Sequence, residues 1–123
     1  MLLKRILVID TAEDIQEIIR HSLKNTTNWI VLSANSIAEG LASTETKLPD
    51  AILLEASLID ECDLNIWQQL QTTASNYSIP LIFMSARVRA MDRFKFQQLG
   101  GAGAIAKPFD PKDLVETISQ ILK

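Results

Sequence analysis

Four short apolar runs in this 123-residue chain each end on a residue that can do chemistry. Ile6-Leu7-Val8-Ile9 leads into Asp10-Thr11, and Ala51-Ile52-Leu53-Leu54 leads into Glu55-Ala56. Leu81-Ile82-Phe83-Met84 leads into Ser85-Ala86, and a weaker run from Ala102 to Ala106 leads into Lys107-Pro108. The set is two carboxylates, a hydroxyl and an ammonium. Polar residues often end strands, so each alone says little. Gathered at one rim, the four would make a site for a small charged ligand, because open α/β sheets bind outside the carboxyl ends of their strands.

The elements that must position them are legible from pattern. The apolar runs, with Trp29-Ile30-Val31-Leu32, are short and continuous, as suits strands buried on both faces. Helix signals fill the gaps. Thr11-Ala12-Glu13-Asp14 reads as an N-cap, Thr11 being the capping residue, with Ile15, Ile18 and Ile19 following at helical spacing. Ser36-Ile37-Ala38-Glu39 has the capping-box pattern. Leu64, Trp67 and Leu70 stand about one turn apart in the segment from Asp63 to Ala74. Val88 to Leu99 stops against Gly100-Gly101. Asp110-Pro111-Lys112-Asp113 opens a last helix whose apolar face is Leu114, Val115, Ile118, Ile121 and Leu122. Strand and helix thus alternate five times, which demands a parallel sheet with right-handed crossovers. The expected fold is α/β, a doubly wound five-stranded parallel sheet of (βα)5 flavodoxin-like type, with strand order 2-1-3-4-5 and residues 1–123 as one domain.

Composition narrows the function. Twelve Lys and Arg against fifteen Asp and Glu give a net charge of −3, which is not the footprint of a nucleic-acid binder. One cysteine, Cys62, excludes an internal disulfide and a multi-cysteine zinc site, and one histidine, His21, excludes most metal and triad constellations. Met1-Leu2-Leu3-Lys4-Arg5 does not begin like a signal peptide, and no apolar run approaches the ~18 residues of a membrane span. The expectation is a cytoplasmic domain without membrane contact.

On these residues the chain resembles the receiver domain of two-component response regulators over nearly its whole length. Ile6-Leu7-Val8-Ile9-Asp10 is similar to the family's first strand and acid, and Pro49-Asp50-Ala51-Ile52-Leu53-Leu54-Glu55 to the approach to its phosphoacceptor. Ile79-Pro80-Leu81-Ile82-Phe83-Met84-Ser85-Ala86 is similar to the fourth strand with its hydroxyl, and Leu99-Gly100 through Lys107-Pro108-Phe109-Asp110 to the fifth strand with its Lys-Pro step. The resemblance implies a pocket in which an Asp ending the third strand accepts a phosphoryl group from a histidine kinase. Two acids after the first strand and that Asp hold Mg²⁺, and the hydroxyl and the lysine contact the phosphoryl oxygens. An aromatic ring three residues before the lysine changes rotamer with the switch.

The sequence departs from this pattern where the chemistry is carried. Glu55 stands at the acceptor position, Thr11 at the second acid of the first strand, and Ala104 at the aromatic position. Ile59 replaces a usual proline, and Asp63 falls near a usual glycine. Asp10, Ser85 and Lys107-Pro108 match. Mg²⁺ demands near-octahedral oxygen ligands, so the expectation is no cofactor, or at most weak Mg²⁺ at Asp10 and Glu55. Glu55 is expected to pair with Lys107, whose bond to Pro108 is a candidate for the cis form. Asp10, Thr11, Glu55, Ser85 and Lys107 therefore read as a degenerate phosphorylation pocket, with no catalytic residue.

A second cluster lies around the fourth helix: Arg87, Arg89, Arg93 and Lys95, with Phe94 and Phe96 interleaved. Two residues two apart cannot both face the core, so one Phe is expected at the surface. Arg87, Arg89, Arg93, Phe94, Lys95 and Ala104 are the expected partner-binding set. Three functions compete. The first is a non-enzymatic, phosphorylation-independent interaction module that binds a protein partner, such as a sensor kinase or output protein, or a second copy as a homodimer. The second is a working phosphoacceptor using a non-standard acid. The third is a flavodoxin-like binder of a phosphate or nucleotide, disfavoured because Asp10-Thr11-Ala12-Glu13-Asp14 is acidic and lacks the glycine of a phosphate cradle.

Overall fold

The computed structural model describes residues 4–122; Met1, Leu2 and Leu3, which were read above for a signal peptide, and Lys123 lie outside the described residues. Eleven elements follow in the order β1 (Arg5–Ile9), α1 (Glu13–Thr26), β2 (Ile30–Ala34), α2 (Ile37–Thr46), β3 (Ala51–Glu55), α3 (Ser57–Glu61), α4 (Leu64–Asn76), β4 (Leu81–Ser85), α5 (Ala90–Gln98), β5 (Gly101–Ala106) and α6 (Pro111–Ile121). The five strands form one parallel sheet in the order β2-β1-β3-β4-β5, as expected for the doubly wound fold. Among the described residues, no helix is long and apolar enough to cross a membrane.

The pleat divides the core into two layers. Along β1, Leu7 and Ile9 face one side and Ile6 and Val8 the other, all four fully buried. The first side joins Ile52, Leu54 and Phe83 to Leu41 of α2, Trp67 and Leu70 of α4 and Phe96 of α5. There the Phe83 and Phe96 rings stack with centroids 5.0 Å apart, and Trp67 leans on Phe83 at 6.3 Å. The second side joins Leu53, Ile82 and Met84 to Ile19 and Leu23 of α1 and to Leu114 and Ile118 of α6. The helix starts follow the local chemistry of their caps. Ser36 accepts from the Glu39 amide, Asp63 from that of Asn65, and Asp110 from that of Lys112. Gly100, at φ +90°, ends α5 and turns the chain into β5.

Several local expectations are corrected. The first helix does not start on a Thr11 cap. Its N-cap residue is Ala12, which makes no side-chain cap bond, because the Asp10 carboxylate two residues earlier takes the Ala12 amide in an Asx-type turn (2.9 Å). The inward line of α1 is Gln16, Ile19 and Leu23, while Ile18 is 44% exposed. Leu64 opens α4 facing solvent rather than the core. The short helix α3 was not foreseen, and the second strand runs Ile30–Ala34, two residues beyond Leu32.

Candidate functional site

β1 and β3 are neighbours at the point where strand order reverses, and β5 closes the same rim two strands away. Asp10 follows β1, Glu55 ends β3, Ser85 ends β4 and Lys107 follows β5. The backbone fixes the last of these: the Lys107 amide donates to the Ser85 carbonyl at 2.8 Å, and the Lys107–Pro108 bond is cis. From there the Lys107 side chain crosses the rim. Its Nζ lies 2.6 Å from Asp10 Oδ2 and 2.7 Å from Glu55 Oε1, so a single ammonium binds both carboxylates.

Every oxygen not facing the lysine is also held. Asp10 Oδ1 accepts from the Ala12 amide, and Glu55 Oε2 from the Ser57 amide at 2.8 Å. The Asp10 side chain is only 2% exposed, against 16% for Glu55 and 17% for Lys107. Burial would raise the Glu55 carboxyl, but the hydrogen bonds from Lys107 and the Ser57 amide outweigh it and hold the group below the usual carboxylate range. Burial would likewise lower the Lys107 ammonium, but its bonds to Asp10 and Glu55 outweigh that and raise it.

The remaining pocket residues stand apart from this triad. The Ser85 hydroxyl turns back to accept from the Arg87 amide at 3.2 Å. Thr11 is exposed and lines a cleft with Asn35, Leu58 and Cys62. Burial first, and Asp63 second, push the Cys62 thiol up, which makes it a poor nucleophile. Sequence reasoning missed Gln16. Its buried amide Nε2 donates to the Asp10 carbonyl (2.5 Å), the Ala34 carbonyl (3.3 Å) and Asn35 Oδ1 (3.0 Å), tying the ends of β1 and β2 together. The available signal was its place one turn before Ile19 on the inward line of α1.

The donor set is a poor seat for Mg²⁺. The cation would have to displace an ammonium already bound to both carboxylates, and no group of three or more His, Cys, Asp or Glu gathers among the described residues.

The second cluster is split by the helix that carries it. Phe96 is buried on Phe83, while Phe94 is 64% exposed, so one Phe does face solvent. Met91, 84% exposed and one turn before Phe94, adds to this apolar spot and was not foreseen. Arg93 lines a cleft of about 150 Å³ with Gln97 and with Gly101 to Ala104 of β5. Lys95 does not join it; it lines a separate cleft toward α3 with Ile59 and Asp60. Arg89 is engaged by Asp92, whose carboxylate also takes the Arg89 amide. Ala104 packs its methyl against the Phe83 side of the core.

A sheet of this order with an Asp, an acidic residue and a Lys converging on its rim defines a receiver-type module, and the chain belongs to the response regulator receiver domain family, whose model matches residues 6–119. Among its relatives are the alkaline phosphatase synthesis transcriptional regulatory protein PhoP of Bacillus subtilis, 27% identical, and the phosphate regulon transcriptional regulatory protein PhoB of Klebsiella pneumoniae, 28% identical. Each match spans 120 residues and 98% of this chain, but 49% and 52% of those proteins, so the chain spans about half the length of the curated relatives it matches. In fold it is similar to the chemotaxis response regulator CheY4 of Vibrio cholerae (TM-score 0.84, 18% identity, covering 98% of this chain and 99% of that one).

Proposed function

We propose that this chain is a receiver domain that has left the phosphorylation cycle and acts as a non-enzymatic protein-interaction module of a two-component system. The observation that carries the reading is the closed triad: Glu55 Oε1 already occupies the partner position on Lys107 that an incoming phosphoryl oxygen would need. A phosphoryl donor would meet two carboxylates whose counter-charge is spent, without a well-formed metal seat to neutralise it. With Ala104 in place of a ring, β5 also lacks a side chain that could change rotamer in step with the pocket. Binding would then fall to the face of α5, β5 and α6, with Arg87 and Arg93 as its positive charges and the exposed Phe94 as its apolar spot, on a chain of net charge −3. Such a local positive patch suits an acidic surface on a sensor kinase or output protein, at an encounter rate that falls with salt.

The test has two arms. Treatment with acetyl phosphate and Mg²⁺ is expected to leave the intact mass unchanged; a stable gain of one phosphoryl group refutes the reading, and Glu55→Gln would show where it sat. A partner isolated by affinity capture is expected to keep most of its affinity for Glu55→Ala and to lose it for Arg87→Glu/Arg93→Glu. The reverse result would make Glu55 a built-in mimic of phosphorylation that controls the surface.

A further inference from the structure

β5 is an edge strand without the usual protection. Among the described residues it pairs only with β4, and its sequence Gly-Ala-Gly-Ala-Ile-Ala has no charge, no proline and no large outward side chain. Such an edge is a template for another strand unless something covers it. The open backbone groups can be named. Because the Lys107 amide points at Ser85 of β4, the alternation of a parallel ladder turns the amides of Ala104 and Ala106 to the open side. Among the described residues, no hydrogen bond outside the sheet involves the backbone of Gly101 to Ala106.

The two sides of this edge differ. On the α5 side, Arg93 and Gln97 line the cleft beside it. On the α6 side, the contact is apolar: a Cβ added at Gly103 would lie 2.7 Å from Ile121 Cδ1. We infer that β5 accepts an extended segment of a partner as a sixth strand, with acidic side chains turned toward Arg93 and apolar ones toward Ile121. The inference rests on the proposed function for the existence of a partner and specifies how that partner is held. A second copy is the weaker occupant. Two β5 edges paired about a two-fold axis perpendicular to the sheet would set both α5 helices on one face, with Arg93 of each copy brought toward its like charge.

The probe is a fluorescein-labelled eight-residue peptide of alternating Glu and Val, titrated into the full chain and read by anisotropy. Saturable binding is expected, weakened by added salt and by Arg93→Glu, and absent for the Lys-Val analogue. Two N-methylated versions decide the mode. Methylating one alternate set of amides should weaken binding about tenfold or more, since those N–H groups face β5, and methylating the other set should leave it intact. Hydrogen exchange should slow at Ala104 and Ala106 in the complex. Equal affinity for all three peptides would overturn strand addition while leaving the proposed partner face standing. No binding of the parent peptide would overturn it too, as would a peptide-free dimer in which the Ala104 and Ala106 amides are already protected. Acceptance of a phosphoryl group, by contrast, would strike the proposed function and not the edge.

Discussion

Lys107→Met removes one ammonium and orphans two carboxylates. The wild-type nitrogen makes two charge-assisted bonds, to Asp10 and to Glu55. Breaking a buried pair by deleting one partner costs about 3–5 kcal/mol, mostly because the remaining charge is left without compensation. Glu55, at a half-open rim, can swing toward water. Asp10, 2% exposed and pinned by the Ala12 amide, has no such escape. The loss should therefore fall near the lower figure, about 3 kcal/mol, read as a drop in the urea midpoint at unchanged slope. The pH dependence gives a sharper test. In wild type, Glu55 is held below the usual carboxylate range, so its contribution is present above the unfolded value and is lost as pH falls through the folded one. In Lys107→Met the facing acids repel each other, and the folded state must take up a proton more readily than the unfolded chain. The variant should thus gain stability relative to wild type as pH falls toward about 4. A loss below about 1 kcal/mol at neutral pH, as for an exposed surface pair, or a difference that widens on acidification, would refute the view of Lys107 as the charge that closes the site.

Three further outcomes follow from the geometry. Glu55→Gln keeps the Asp10–Lys107 pair but gives up the ionic bond to Glu55, so it should be less stable than wild type at neutral pH and draw level with it between about pH 5 and pH 3, its melting temperature falling less steeply. Phe96→Ala should cost about 3–5 kcal/mol in urea titration because it empties the stack on Phe83; Phe94→Ala, at an exposed site one turn-face away, should stay within about 0.5 kcal/mol. Gly40 carries α2 directly over β1, where an added Cβ would collide with Ile9 Cδ1 and stand 2.9 Å from its Cγ1, so Gly40→Ala should destabilise by about 1–3 kcal/mol despite the better helix propensity of alanine. A stabilised variant would show that Ile9 can repack freely.

Much of the molecule is determined by local signals in the chain. Short continuous apolar runs between turn and cap signals read as strands, although burial on both faces holds for β1, β3 and β4 and not for the edge strands β2 and β5, and caps such as Ser36, Asp63 and Asp110 mark helix starts through bonds to amides two or three residues away. Alternation of the two then dictates the parallel sheet, and the sheet dictates the rim on which Asp10, Glu55, Ser85 and Lys107 stand. What separates contacts from neighbours on that rim is decided by distances across the fold. Lys107 and Asp10 are 97 residues apart, and only the packing of β5 two strands from β3 brings one nitrogen within reach of both acids. The same holds for Thr11. Its local pattern is that of a cap, but the Asp10 carboxylate, held in place by Lys107, is already beside the amide of Ala12. Gln16 looks like a surface residue until β1 and β2 converge and present it with three acceptors. Arg93 and Lys95, two apart in one basic run, are sent to opposite sides of α5 because a helix turns about 100° per residue and Phe96 must face Phe83. Periodicity and capping act over a few residues and are written in the chain; the partners of a buried charge are chosen by tertiary packing, which one-dimensional spacing does not encode.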